Sequence, residues 1–327
     1  MGAIAMPGRV FQALGFCVML TLPVLAASAQ TPPPREDVTV TATKARELLD
    51  KFAKALTIQT KVTGKIARWE TAICPSVIGQ KPEFTRFIAE RLQAIAAAAG
   101  APVNASQACT ANIQIIFTTT PQQLLDQVRK DDPDYLGYAT TSDQREKLAT
   151  VTRPVQAWYT TETIDLDGMH RMDSGRKLGN GITLSNFSAF AMPSSGAANR
   201  DPIDLPYAFY TRTTGNHIDN GLRTGLNHVI VVIDSTKLAG QQIIPLSDYI
   251  SMLALTQLSS LDTCQELPSI VNLMAKDCDQ RIEGMTATDL AYLRGLYKMD
   301  GDKGYIFQQD EIADVMVGAV AGPSPSK

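Results

Sequence analysis

Residues 227–274 read NHVIVVIDSTKLAGQQIIPLSDYISMLALTQLSSLDTCQELPSIVNLM. The β-branched run at 229–233 predicts a strand that ends at Asp234. A Gly/Gln-rich turn follows, and the apolar stretch at 246–258 predicts a helix. A loop carrying Cys264 then leads to Met274. Strand and helix are expected to form the seam of the core.

Outward from this stretch, the chain reads as α+β. Leu48, Leu49, Phe52, Ala55 and Leu56 recur at helical spacing over 44–57. Lys81, Pro82 and Glu83 open a second helix, with a predicted buried stripe of Phe84, Phe87, Ile88, Leu92 and Ile95 and a stop at Gly100. Residues 112–118 (NIQIIFT) predict a buried strand, and 121–130 a helix with Leu124, Leu125 and Val128 inward. Further strands are expected at 153–163, 182–187 and 206–213. The last helix, TATDLAYLRGLY, follows Met285. Its cap is Thr286 or Thr288, and its buried face is Leu290, Leu293, Leu296 and Tyr297.

The N-terminus reads as an export signal over residues 1–29, with Arg9 before the apolar core at 10–25 and Ala27-Ser28-Ala29 as the cleavage site. The expected location is the periplasm of a Gram-negative cell, or the space beyond it. Residues 30–43 form a disordered Pro/Thr-rich leader, 44–316 a single globular domain and 317–327 a loose tail. Formal net charge is −3 and neither half holds a basic block, so no nucleic-acid partner is expected. No long apolar run follows the signal, so no transmembrane segment is expected after its removal. The mature chain keeps Cys74, Cys109, Cys264 and Cys278. An even count in an oxidising compartment reads as two disulfides. Of three pairings, Cys74–Cys109 with Cys264–Cys278 is favoured, because each closes a loop within one segment. Each would stabilise by about 3–4 kcal/mol in the chain-entropy picture.

Catalytic motifs are absent. The three histidines are His170, His217 and His228, and no two stand one helical turn apart. No G-x-S-x-G, phosphate loop or G-x-G-x-x-G appears. Asp165, Asp167, His170 and Asp173 resemble a metal cluster, but the plainer reading is a solvated connection. Asp300, Asp302 and Glu311 are weak calcium candidates. Glu311 falls at position 12 of an EF-hand count, yet Gly304 and Tyr305 stand at positions 5 and 6, where an oxygen ligand and a glycine belong. No cofactor is implied.

The order of strand, apolar helix, methionine approach (PSIVNLM, 268–274) and capped closing helix resembles a family of uncharacterised secreted proteobacterial proteins. Their C-terminal region is itself similar to a degenerate zincin. The likeness covers residues 225–300; the helix at 83–99 and the strand at 112–118 fit the same order. It implies a single zincin-like domain with a mostly antiparallel or mixed sheet, long packing helices and two disulfides. Aligned with Gln257 as the second metal ligand, the helix places Leu253 at the first histidine and Ala254 at the catalytic glutamate. Neither side chain binds zinc or takes a proton from water. Met274 would remain as a packing residue. The implied function is an exported, non-catalytic metallopeptidase-like domain that binds an unknown protein, peptide or envelope component. The alternative is a hydrolase whose site is assembled from residues that sequence does not pair.

Overall fold

Strand β5 (Arg223–Asp234) is the axis of the sheet. In the computed structural model, which describes residues 42–104, 106, 108–174, 220–238, 240–280 and 282–321, it lies between two neighbours. On one side it pairs in parallel with β2 (Ile113–Thr118); on the other it pairs antiparallel with β3 (Val155–Ile164). β1 (Pro75–Ile78) adds a parallel strand beside β2, and the short β4 (His170–Met172) pairs with the end of β3. The order is β1-β2-β5-β3-β4, a mixed five-stranded sheet. A central strand buries both faces, which is why 229–233 is a continuous β-branched run rather than an alternation. Val229, Val231 and Ile233 enter the larger core. Ile230 and Val232 enter a smaller one with Ile116, Trp158 and the Leu124, Leu125 and Val128 face of α3 (Pro121–Asp131).

Helix α5 (Ile243–Leu255) lies in the larger core, and every residue from Pro245 to Leu255 is buried. Its polar residues are satisfied internally. Ser247 and Ser251 donate to carbonyls one turn back, at Ile243 and Ser247. Asp248 takes a two-pronged pair from Arg91 of α2 (Pro82–Ala99) and the Met285 N–H at 2.6 Å. The last carbonyls of α5 are capped by aromatic donors from three other segments. Tyr159 Oη donates to Leu253 O at 2.9 Å, Trp69 Nε1 to Ala254 O at 2.9 Å and Tyr297 Oη to Leu255 O at 2.7 Å.

Around this centre, α1 (Ala42–Leu56) and α6 (Ala287–Lys298) both pack on α7 (Tyr305–Ala321). Gly295 permits the α6–α7 approach: a Cβ there would lie 2.8 Å from Ile312 O. Thr286, not Thr288, caps α6, in a reciprocal box with Asp289. Asp289 also accepts from Ser269 Oγ and the Ile270 N–H, so one buried carboxylate ties α6 to the turn at Ile270–Met274. Both expected disulfides are formed, Cys74–Cys109 and Cys264–Cys278. The residues described belong to one compact unit.

Several expectations change. The helix expected at 246–258 starts and ends one turn earlier, because Thr256 turns extended. Phe84 is 39% exposed, at the first turn of α2, while Ala96 and Ala99 complete that helix's buried stripe. On α6, Leu290 and Tyr297 are only partly buried, and Ala291 and Tyr292 take their place inward. The helix after Met285 is not the last: α7 follows, and the tail expected to be loose from 317 is helical to Ala321. β1, the short helix α4 (Ser142–Leu148) and β4 were not expected; β4 lies in the stretch read as a solvated connection, where Asp165 is buried. The expected signal, most of the leader, the strands at 182–187 and 206–213 and the end of the tail lie outside the described residues.

Candidate functional site

The three positions singled out on the α5 segment separate cleanly. Leu253 and Ala254 are fully buried in the larger core and face no cleft. Gln257 lies beyond the helix end, is half-buried, and lines a groove of about 270 Å³. Its Oε1 is enclosed and has no hydrogen-bond partner among the described residues. Met274 ends the turn at Ile270–Met274 and packs, partly buried, against the core.

The groove runs along the edge of β3. Its walls include Thr60, Lys61 and Val62 after α1, Gly137 and Tyr138, Lys147 and Leu148 of α4, and Gln257 with Leu258; Ala157, Tyr159, Thr161 and Asp173 also line it. Alternate residues of a strand send both N–H and C=O to the same edge. Pro154 O turns toward β5, where it accepts the Asp234 N–H, whereas Thr161 O turns away, where it accepts the Asp173 N–H. Ala157 and Tyr159 share the parity of Thr161. Their backbone groups therefore face the edge that β4, paired only with Glu162–Ile164, leaves open. Among the described residues no hydrogen bond reaches the Ala157 backbone on that edge. Gly137, at φ +104°, closes against the strand farther along, where a Cβ would lie 2.8 Å from Tyr159 O.

The groove's one carboxylate, Asp173, accepts hydroxyls from Thr161 and from Thr163 at 2.7 Å. Burial raises its pKa, against the lowering effect of those two bonds. Lys61 and Lys147 are exposed at the rim. Lys61 Nζ reaches Tyr138 O at 3.4 Å, and neither lysine has a carboxylate partner among the described residues.

On the opposite face of β3, sequence reasoning missed a pair. Glu162, buried, accepts from Asn227 Nδ2 at 2.9 Å and meets His170 Nδ1 at 2.8 Å. The histidine itself is exposed. Asn227 is the extra residue of a β-bulge: Thr160 pairs with His228 while Thr161 pairs with Leu226. A bulge has no clear sequence signal, so this juxtaposition could not be read in advance. The apparent cluster of Asp165, Asp167, His170 and Asp173 is dispersed. Asp165 Oδ1 accepts the Asp167 and Met169 N–H groups of the hairpin turn, while His170 and Asp173 bind partners on opposite faces. His228 is buried edge-on against Tyr135, and burial lowers its pKa to about 4. His217 lies outside the described residues.

Around the calcium candidates, Glu311 accepts the Asp300 N–H at 2.6 Å and the Lys303 ammonium, and Asp302 lies 3.6 Å from Arg223. Both oxygens of Glu311 are thus committed to the turn before α7. Among the described residues no three His, Cys, Asp or Glu side chains are grouped as a metal site needs. Nor is any described helix long and apolar enough to cross a membrane. No family model, curated protein or solved structure matches the chain.

Proposed function

We propose that this chain is an exported, non-catalytic domain that keeps a zincin-like order of strand, helix and methionine turn and binds an extended peptide. The observation that carries the reading is the open edge of β3 at the floor of a groove. An unpaired edge offers backbone donors and acceptors in register, and a peptide that adds a strand takes its affinity from them. The burial of Leu253 and Ala254 supports the absence of peptidase chemistry, since the positions where such chemistry would stand carry apolar side chains in the packed core. Two disulfides support an oxidising compartment.

Ala157→Pro tests the reading. It removes the N–H that faces the open edge, where proline is tolerated in a strand. Binding of strand-forming peptides, followed by fluorescence anisotropy, is expected to fall at least ten-fold while the unfolding midpoint moves little. Unchanged binding would reject strand addition.

One observation favours a second reading, a hydrolase. Glu162 is buried and holds an exposed His170 at 2.8 Å, the arrangement that orients a general base. Turnover of an ester or peptide panel by the protein, lost in His170→Ala, would establish it.

A further inference from the structure

Two features of the groove converge on one class of ligand. Ala157 offers strand pairing on the open edge. Lys61 and Lys147 stand at the rim without carboxylate partners among the described residues, whereas the groove's own acid, Asp173, already accepts the hydroxyls of Thr161 and Thr163. Among the described residues the two lysines therefore have no carboxylate to meet.

We infer that the occupant of the groove is an acidic peptide in extended conformation. Its backbone pairs with β3, and its carboxylates meet Lys61 and Lys147. This rests on the strand-addition reading and adds the charge of the partner. Rim charges act mainly through the association rate and the salt dependence of binding, while backbone pairing sets the dissociation rate.

The test uses two fluorescein-labelled probes, Glu-Val-Thr-Val-Thr-Val-Glu and its counterpart with both Glu replaced by Gln, titrated with the full chain at low and high salt. The acidic probe is expected to bind about five-fold more tightly at low salt, with the difference gone near 1 M salt. Lys61→Gln with Lys147→Gln, both at exposed positions, is expected to equalise the two probes through loss of affinity for the acidic one alone. Equal affinity of the two probes for the unaltered protein would overturn the acidic preference and leave strand addition standing. Binding of neither probe would overturn both. A persisting preference in the double lysine variant, with its unfolding midpoint unchanged, would overturn the role of these two lysines.

Discussion

His228 shows how one buried side chain sets a pH dependence. Its ring packs edge-on to Tyr135, its Nε2 meets Gln114 Oε1 at 3.4 Å, and burial holds its pKa near 4 against an ordinary 6.5. Between those values the unfolded chain binds a proton that the folded chain refuses. The contribution is therefore complete above pH 6.5 and is lost as pH falls toward 4, a loss on the order of 3 kcal/mol. His228→Gln cannot titrate. Denaturant unfolding across this window is expected to show a slope shallower by one proton, about 1.4 kcal/mol per pH unit. An unchanged slope would mean that other groups dominate the acid limb. Asp173 acts in the other sense. Burial raises its pKa, so between the unfolded and folded values the folded chain binds the extra proton, and stability declines as pH rises through that range. No periodicity in the sequence reveals either environment, because both depend on what the opposite strand or turn brings near.

At the scale of the element, α5 explains why the stretch at 227–274 was legible and where legibility stopped. Its uniform apolar composition marks a buried helix, and the burial of Pro245–Leu255 follows. Its C-terminal boundary did not follow, because the residues that end it come from elsewhere. Tyr159, Trp69 and Tyr297 cap the carbonyls of Leu253, Ala254 and Leu255. Tyr159→Phe and Tyr297→Phe each remove one such bond without opening a cavity, and each is expected to cost about 1 kcal/mol, or up to about 3 where the carbonyl is left dry. The two carbonyls stand two residues apart at one helix end, so the two losses are expected to couple rather than simply add. Guanidinium titration of the single and double variants measures this; a double variant no weaker than either single one would show that the caps act as one unit. α7 was missed for a related reason. Asp300, Asp302 and Glu311 look like ligands when read as a list, yet Glu311 serves the turn that starts the helix, through the Asp300 N–H and the Lys303 ammonium. The helix then buries Ile312, Ala313 and Met316, leaving Ile306 and Phe307 exposed, so its apolar pattern is split between two faces. The groove lay beyond sequence reading altogether. It depends on β4 being too short to cover β3, and no local signal sets that length.

For the whole molecule, the expected export signal left four cysteines and loop spacing favoured one of three pairings; the structure forms that pairing and shows what each bond holds. Cys74–Cys109 spans β1, α2 and the approach to β2, where Asn112 also binds the Cys74 N–H at 2.6 Å and Ala72 O at 3.1 Å. Cys264–Cys278 brackets the turn that carries Met274, alongside Asn272, whose side chain ties Gln265 to Gln280. Loops of 35 and 14 residues correspond to about 4 and about 3 kcal/mol of unfolded-state restriction. Together, at about 7 kcal/mol, they are comparable to a typical domain's whole net stability of about 5–15 kcal/mol. Cys74→Ser with Cys109→Ser should therefore destabilise slightly more than Cys264→Ser with Cys278→Ser, and removing both pairs should leave a domain that unfolds at much lower denaturant. The same bonds test the reading of the N-terminus. All four cysteines of the expected mature chain are paired, and the fifth, Cys17, lies within residues 1–29. Protein recovered from the periplasm and unfolded without reductant should expose no reactive thiol if the signal is removed. One thiol per chain would show that Cys17 is retained, and more than one that the pairs do not persist. Reduction before unfolding should release four thiols and lower the midpoint by the sum of the two pairwise losses, because the crosslinks lie in separate segments and restrict the unfolded chain independently.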